Sequence, residues 1–380
     1  MGLLRLLLAL SVLTAHMKGG NIFGFRLIYG NEAVECFFMI SGFYMALVLN
    51  EKYNQRGDYF PFLWQRVLRL YPVYLVVFLT TLVTLGVVSF AAGQPQSFFI
   101  PWFQYAHNFS PLTWAYLIIA NLFIVGIQLV RFIRLDPTTG DLGFTNSPDA
   151  VGALAFSFIP QAWTLDLELM FYLIAPFLVR RHVLVQIFVF VGSIVLRLST
   201  AQMLTPDKSP WFSNSFFPYE LAFFMAGSVA YQVYRHQQPF LLRLRGFFSW
   251  FQWVFFFIVI AYSRLPGLAH PKFFVFSLLL FLMIPLLFLF TKDNARDRMI
   301  GELSYPFYLI HFLVLILMFP WVHSLPKIMQ GPLYAAVALG TAYLLYSLFE
   351  RQIDIYRHRL FDKQRRSPSV SLATKTKVID

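Results

Sequence analysis

The sequence predicts an all-α fold, a polytopic transmembrane helix bundle with about ten spanning helices plus one re-entrant or interfacial helix. Three observations predict it. Hydrophobic residues make up 58% of the 380 and charged residues only 13%, where a soluble globular chain carries roughly 25% charged residues. The mean hydropathy is +0.63. The apolar residues also fall in long unbroken runs, without the alternation that would mark an outer-membrane barrel. The 45 phenylalanines and 19 tyrosines suit a lipid-facing bundle with aromatic belts at its interfaces.

Runs long enough to span lie at residues 3–19, 33–49, 72–92, 163–179, 182–200, 216–234, 247–263, 273–291, 303–321 and 333–349. A span needs about 20 mainly apolar residues, so the shorter runs imply little tilt or recruitment of flanking residues. An eleventh segment, 112–130, follows Pro111 and contains Trp114, Asn121 and Gln128. Charge decides how to read it. The tail cluster Arg351, Arg357, Arg359, Lys363, Arg365, Arg366, Lys375 and Lys377 marks the C-terminus as cytoplasmic, because basic loops stay inside. With both ends inside and 112–130 not crossing, the inner loops also hold Arg5, Lys52, Arg56, Arg66, Arg69, Arg180, Arg181, Arg235, Arg243, Arg245, Lys292, Arg296 and Arg298. The outer side keeps Lys18, Arg26, Arg131, Arg134, Lys208, Arg264, Lys272 and Lys327. A crossing at 112–130 would turn every later basic loop outward. That segment therefore reads as re-entrant or interfacial.

The longest polar connection, residues 131–161, carries the turn chemistry of DPTTGD and TNSPD and lies on the outer face, as a lid or binding loop would. The chain divides into a membrane domain at 1–350 and a basic cytoplasmic tail at 351–380, expected to be partly disordered.

Several function classes are excluded. The net charge of +12 sits beside apolar spans and reports membrane orientation, and no nucleic-acid-binding motif accompanies it. One cysteine, Cys36, rules out a disulfide framework or a cysteine metal site. No HExxH, P-loop, GxGxxG or GxSxG is present, and no metal site is expected. Ser41-Gly42 lacks the context of a nucleophile and reads as close helix packing through small residues.

The chemistry-bearing residues lie along the spans. In LLRLLLALSVLTAH, Arg5 and His16 stand 11 positions apart. That is roughly three turns plus 20°, so both lie on one helix face, about 16 Å apart along the axis. Ionisable groups in lipid are expensive and point to function. The other reading of this stretch, a signal peptide with Arg5 as its leading charge, lacks a small-x-small cleavage site because Leu13 stands at the third position before the cut. Arg66 and Arg69 share a helix face at i, i+3 and can grip anionic oxygens, unless they only anchor the span. In WTLDLELMFY, Asp166 and Glu168 enter an apolar run, and GELSYPFYLIH brings Ser304, Tyr305 and His311 into another. His311 reads either as a packing residue or as a base. Glu35, Arg197, Glu220 and Glu350 complete the charges within or at the edge of the membrane.

Taken in order, these motifs resemble the acyltransferase-3 family of integral membrane acyltransferases. LLRLLLALSVLTAH resembles the family's Arg/Lys-x10-His first helix, and ECFFMISGF its D-x-FF-x-SGF helix. RVLRLYP resembles R-x-x-R-x-x-P, WTLDLELMFYLIAP resembles W-S-L-x-x-E-x-x-FY-x-x-P, and LSYPFYLIH resembles SYPLYLLH. Departures are Glu35 for the aspartate and Thr164 for the serine, and both keep the chemistry.

The resemblance implies transfer of an acyl group, usually acetyl, from cytoplasmic acyl-CoA to a sugar hydroxyl on the outer side of a bacterial inner membrane. It implies His16 as catalytic base, Arg5, Arg66 and Arg69 on the phosphates of acyl-CoA (acetyl-CoA), and less defined roles for Glu168, Tyr305 and His311. An alcohol is a poor nucleophile until a base takes its proton, and imidazole, near about 6.5 unperturbed, suits that task at neutral pH. Direct attack is expected, with an acyl-histidine as the alternative. Glu35 or Glu168 would orient the imidazole. The expected partners are acyl-CoA, a carbohydrate or lipid-linked glycan acceptor and membrane lipids, with no nucleic acid. The acceptor, the choice of acetyl or succinyl and the oligomeric state stay open. A rival class, a transporter or exporter of a glycan or lipid-linked intermediate, lacks the internal repeat and paired broken helices of that class. A structural scaffold gives no reason for Arg5 and His16 to share a face.

Overall fold

The computed structural model describes all residues except 18, 56, 145–148, 204–214, 268 and 367–380. Lys18, Arg56 and Lys208 of the charge reading, the turn at 145–148, and the tail beyond 366 with Lys375 and Lys377 lie outside the described residues.

The chain folds into helices α1 (Gly2–His16), α2 (Gly30–Glu51), α3 (Tyr59–Ala92), α4 (Ile100–Tyr105), α5 (Pro111–Phe123), α6 (Trp163–Leu178), α7 (Val183–Met203), α8 (Phe217–His236), α9 (Gln238–Arg243), α10 (Arg245–Ala261), α11 (Ala269–Thr291), α12 (Ala295–Val322), α13 (Lys327–Leu345) and α14 (Arg351–Arg366). Each of the ten apolar runs falls on a helix of its own: α1 to α3, α6 to α8 and α10 to α13. Among the described residues, 7 helices are long and apolar enough to cross a membrane: α2, α3, α7, α10, α11, α12 and α13. With 15 and 16 residues, α1 and α6 are shorter than a usual span. α8 has 20 residues but carries Glu220 at its start and Arg235 and His236 at its end. Length and composition alone thus account for seven crossings.

The reason α1 can be short lies in its surroundings. Leu4, Leu8, Ala9, Val12 and Leu13 are buried, because α1 is packed against α2, α12, α10 and α13. A helix enclosed by protein has no need to match the hydrocarbon thickness. Its N-terminus is capped by α12, where the Asp297 carboxylate accepts from the N–H groups of Gly2 (2.8 Å) and Leu3 (3.0 Å). Two of the four free N–H groups of the first turn are satisfied there, by an anion at the positive end of the helix. A Cβ on Gly2 would lie 1.6 Å from the Asp297 carbonyl oxygen, so only glycine permits this approach.

The same device locks α2 to α8. A Cβ at Gly42 would fall 1.9 Å from the Phe224 carbonyl oxygen, and one at Gly227 1.8 Å from that of Met39. The packing role expected of Gly42 is therefore what the structure shows. Without a hydrophobic drive between helices in lipid, such close backbone contact is what holds them together. Gly227→Ala is expected to destabilise the protein by about 1–3 kcal/mol through overpacking. Gly192→Ala, with open space around its Cβ, should not. Thermal unfolding of the two variants in detergent checks this, and an equal response would remove the notch argument.

Outside the core, the helices show apolar side chains outward. Leu79, Val83, Val87 and Phe90 of α3 and Trp250, Trp253 and Phe257 of α10 are exposed, which is the surface of a protein whose solvent is lipid.

Segment 112–130 does not form one crossing helix. α5 has 13 residues, a rise of about 20 Å against a hydrocarbon core of roughly 30 Å. It ends at Ile124, whose φ of +65° is a strained value for a β-branched residue, and Gly126 follows at +78°. The chain then doubles back through a 3-10 helix, Ile127–Arg131. The polar connection beyond it carries a small antiparallel sheet of three two-residue strands, β1 (Arg134–Leu135), β2 (Leu142–Gly143) and β3 (Val151–Gly152), with β1 central. In its turn, the Asp136 carboxylate accepts from the Thr138 hydroxyl and N–H, and these bonds hold it below the usual carboxylate range.

After α13 a π-helical turn, Tyr346–Glu350, leads into α14. The first half of the tail is thus helical, and it returns to α3: Gln65 Nε2 donates to the Arg357 carbonyl (3.2 Å) and Arg357 Nε to Gln65 Oε1 (3.3 Å).

Candidate active site

Arginines from two helices meet at one end of the bundle. Arg5 of α1 and Arg66 and Arg69 of α3 line a cavity of about 110 Å³, together with Ser41 and Tyr44 of α2, Glu168 and Tyr172 of α6, and Ser304, Tyr305 and Tyr308 of α12. The i, i+3 spacing of Arg66 and Arg69 puts both on the cavity side of α3, as expected. Arg66 is buried, and its Nε has no hydrogen-bond partner among the described residues. The field of Arg69 reaches Arg5 and Arg66. Three like charges around one cavity repel, and a polyanion placed among them would convert that repulsion into binding.

Glu168 faces the same cavity, where its Oε1 accepts from the Ser41 hydroxyl (2.8 Å) and from the Tyr172 hydroxyl. Tyr305 donates to the Leu70 carbonyl (2.5 Å), tying α12 to α3 beside the arginines. Ser41, Tyr44 and Tyr172, which the sequence reading did not single out for this site, belong to its wall. Ser41 and Tyr172 occur inside two of the motifs, and only their contact with Glu168 shows what they do.

The second group lies farther along α1 and α12. His16, on the last turn of α1, is exposed, while His311 is fully buried. His16 Nδ1 lies 2.9 Å from the Val12 carbonyl and 3.2 Å from His311 Nε2. His311 Nδ1 lies 2.7 Å from the Tyr308 carbonyl. A carbonyl can only accept, so each Nδ1 carries the ring proton. In the neutral rings this leaves His311 Nε2 presenting a lone pair to His16 Nδ1–H, and His16 Nε2 without a proton. No side chain among the described residues bonds to that nitrogen. A base with its proton-bearing side held by two acceptors and its lone pair free is the arrangement general-base catalysis requires.

The orientation expected from Glu35 or Glu168 is supplied by other groups. Glu35 lies against α7 instead, in an ion pair with Arg197 (2.7 Å), with Glu220 of α8 4.0 Å from the same guanidinium. Glu168 is committed to Ser41 and Tyr172. Val12 and His311 hold the His16 ring. The physical reason is the helix face: α2 presents Glu35 to α7 and α8, whereas α12 runs beside α1 and presents His311. Of the expected residues, the structure unites Arg5, Arg66, Arg69, Glu168 and Tyr305 at the cavity and His16 with His311 above it. Glu35 joins neither group.

Tyr308 links the two. It lines the cavity, and its hydroxyl pairs with Thr164 Oγ1 (2.9 Å) and donates to the Gln161 carbonyl (3.0 Å). Its carbonyl holds His311. Gln161 in turn donates to the Leu309 carbonyl (2.8 Å), so the start of α6 is stitched to the middle of α12. Among the described residues no group of His, Cys, Asp and Glu could hold a metal ion.

A family model described as an acyltransferase domain matches residues 1–347. No curated protein and no solved structure shows significant similarity to the chain. The match covers the cavity, the histidine pair and every helix up to the π-helical turn, and leaves α14 outside.

Proposed function

As the chain belongs to the acyltransferase-3 family, an integral membrane protein with acyltransferase activity, we propose that it moves an acetyl group from cytoplasmic acetyl-CoA to a hydroxyl of an extracytoplasmic carbohydrate. The observation that carries this reading is the free Nε2 of His16, set beyond a cavity walled by Arg5, Arg66 and Arg69. With both termini in the cytoplasm of a bacterial inner membrane, the arginines open inward and His16 lies toward the outer face. The phosphates of the donor sit among the arginines, and the pantetheine arm carries the thioester past Tyr308 toward His16. Tyr308 adjoins both ends of that route, lining the cavity and lying with its ring centroid 5.9 Å from that of His311.

At the reaction centre His16 Nε2 takes the proton of the acceptor hydroxyl as its oxygen attacks the thioester carbonyl carbon. The imidazolium that forms is stabilised through Nδ1–H by the Val12 carbonyl and by the lone pair of His311. Collapse of the intermediate breaks the carbon–sulfur bond, and the thiolate leaves with the proton from Nε2. Glu168, with Ser41 and Tyr172, orients the wall past which the thioester moves. Glu35 holds α7 and α8 to α2 through Arg197.

The test is label transfer from acetyl-CoA to the glycan fraction in membranes bearing the protein, with thiol release followed in parallel. Transfer coupled to release supports the reading. Release of thiol without labelled glycan makes the protein a thioesterase under those conditions, and neither product returns the transporter reading. A smaller effect is expected from His311→Phe, which removes the acceptor behind His16 but leaves the Val12 carbonyl in place. It should lower kcat by roughly tenfold, the worth of one hydrogen bond to a charged group. An unchanged kcat would reduce His311 to a packing residue.

A further inference from the structure

We propose that Arg131 is a catalytic residue, its guanidinium donating to the carbonyl oxygen of the acyl group as that oxygen becomes an oxyanion; this rests on the acyl-transfer reading of the histidine pair. By sequence alone Arg131 is one more charge on an outer loop. The fold places it elsewhere. The break at Ile124 and Gly126 turns the chain back, so the 3-10 helix ending in Arg131 packs against α6. Asp166 fastens that helix, accepting from the Gln128 N–H at 3.0 Å, and is itself only 3% exposed. Burying a carboxylate is costly. Here it sets the position of the turn that ends in Arg131.

The Arg131 guanidinium lies over the Trp163 ring, 4.6 Å from its centroid. Among the described residues it makes no hydrogen bond or ion pair, so its five N–H donors are unspent. Its charge reaches both His16 and Tyr308, and it is the cation whose field acts on His16 among the described residues. Burial pushes the guanidinium down from its ordinary value, yet arginine starts high enough to stay a cation at neutral pH. Trp163 adjoins Thr164, whose hydroxyl pairs with Tyr308, whose carbonyl in turn holds His311. The base and the unspent cation are therefore mounted on one connected frame.

General-base attack needs both. As the acceptor oxygen bonds to the carbonyl carbon and its proton passes to His16 Nε2, the electron pair of the C=O bond moves onto oxygen. Arg131 N–H donors stabilise that charge. When the C=O bond re-forms, the carbon–sulfur bond breaks and the sulfur leaves with the proton from Nε2. A donor fixed before the reaction costs no reorganisation as the charge develops, and loss of one such donor costs about 10²–10³ in kcat.

Arg131→Gln, Arg131→Lys and Asp166→Asn, in membranes with equal inserted protein, are compared with the wild type for label transfer from acetyl-CoA. Arg131→Gln is expected to lose about 10²–10³ in kcat, with the KM for acetyl-CoA and for the acceptor within twofold of the wild type. Arg131→Lys should recover at least tenfold over it. Asp166→Asn keeps the guanidinium but loosens its mount, and an intermediate loss is expected. A wild-type rate in Arg131→Gln overturns the inference. So does a rise in either KM at unchanged kcat, which would make Arg131 a substrate-binding group. A lysine variant no better than glutamine, with all variants equally stable to heat, would make the residue structural. A wild type that neither transfers label nor releases thiol overturns the acyl-transfer reading itself, and the inference with it.

Discussion

His16→Gln is expected to lower acyl transfer by about 10²–10⁴-fold, the usual contribution of a positioned general base. Glutamine is close to histidine in length and can still meet the Val12 carbonyl, but it offers no basic nitrogen to the acceptor hydroxyl. The loss should therefore appear in kcat, with the KM for acetyl-CoA little changed, because His16 is not among the residues that line the arginine cavity. The wild-type rate should also fall as the medium is acidified, since a protonated Nε2 has no lone pair to take the proton. Kinetics on membranes, with inserted protein measured in each sample, check both points. A variant that transfers at the wild-type rate would make His16 a packing residue and move the chemistry elsewhere.

The second large effect is expected at the opposite end of the cavity. Arg66→Gln removes one of the three cations that line the cavity proposed to take the donor phosphates. A charge-assisted hydrogen bond contributes roughly 1.5–3 kcal/mol, so the KM for acetyl-CoA should rise about 10- to 100-fold while kcat changes far less. Removing Arg69 as well should raise it further, and added salt should weaken donor binding in the wild type more than in the double variant. Saturation kinetics at two ionic strengths separate this from anchoring. If KM and its salt dependence are those of the wild type, Arg66 only orients α3 at the interface.

The unpartnered Nε of Arg66 is the local reason for choosing that residue first. A buried donor left without an acceptor is costly in a finished structure. It is reasonable where a ligand completes the set.

What the sequence determined by itself follows from solvent and periodicity. Long apolar runs in a chain with 13% charged residues can satisfy their backbone in lipid only as helices, and each of the ten runs indeed lies on its own helix. Helical geometry put Arg66 beside Arg69 and aligned Arg5 with His16. The motifs brought Glu168, Tyr305 and His311 into view and led to the family. That segment 112–130 does not cross as one helix was also legible, through the distribution of basic loops.

The tertiary structure decided the partners, because contacts between distant segments have no local signature. It gave His311 to His16 and thereby a tautomer and a free nitrogen. It sent Glu35 to Arg197, since a buried carboxylate pairs with the nearest cation, and Arg197 faces it from α7. It allowed α1 to be short by enclosing it in other helices. Arg131 shows the difference most clearly: in the sequence it is a charge on a loop, and only the reversal at Ile124 and Gly126, fastened by Asp166, brings its field to His16.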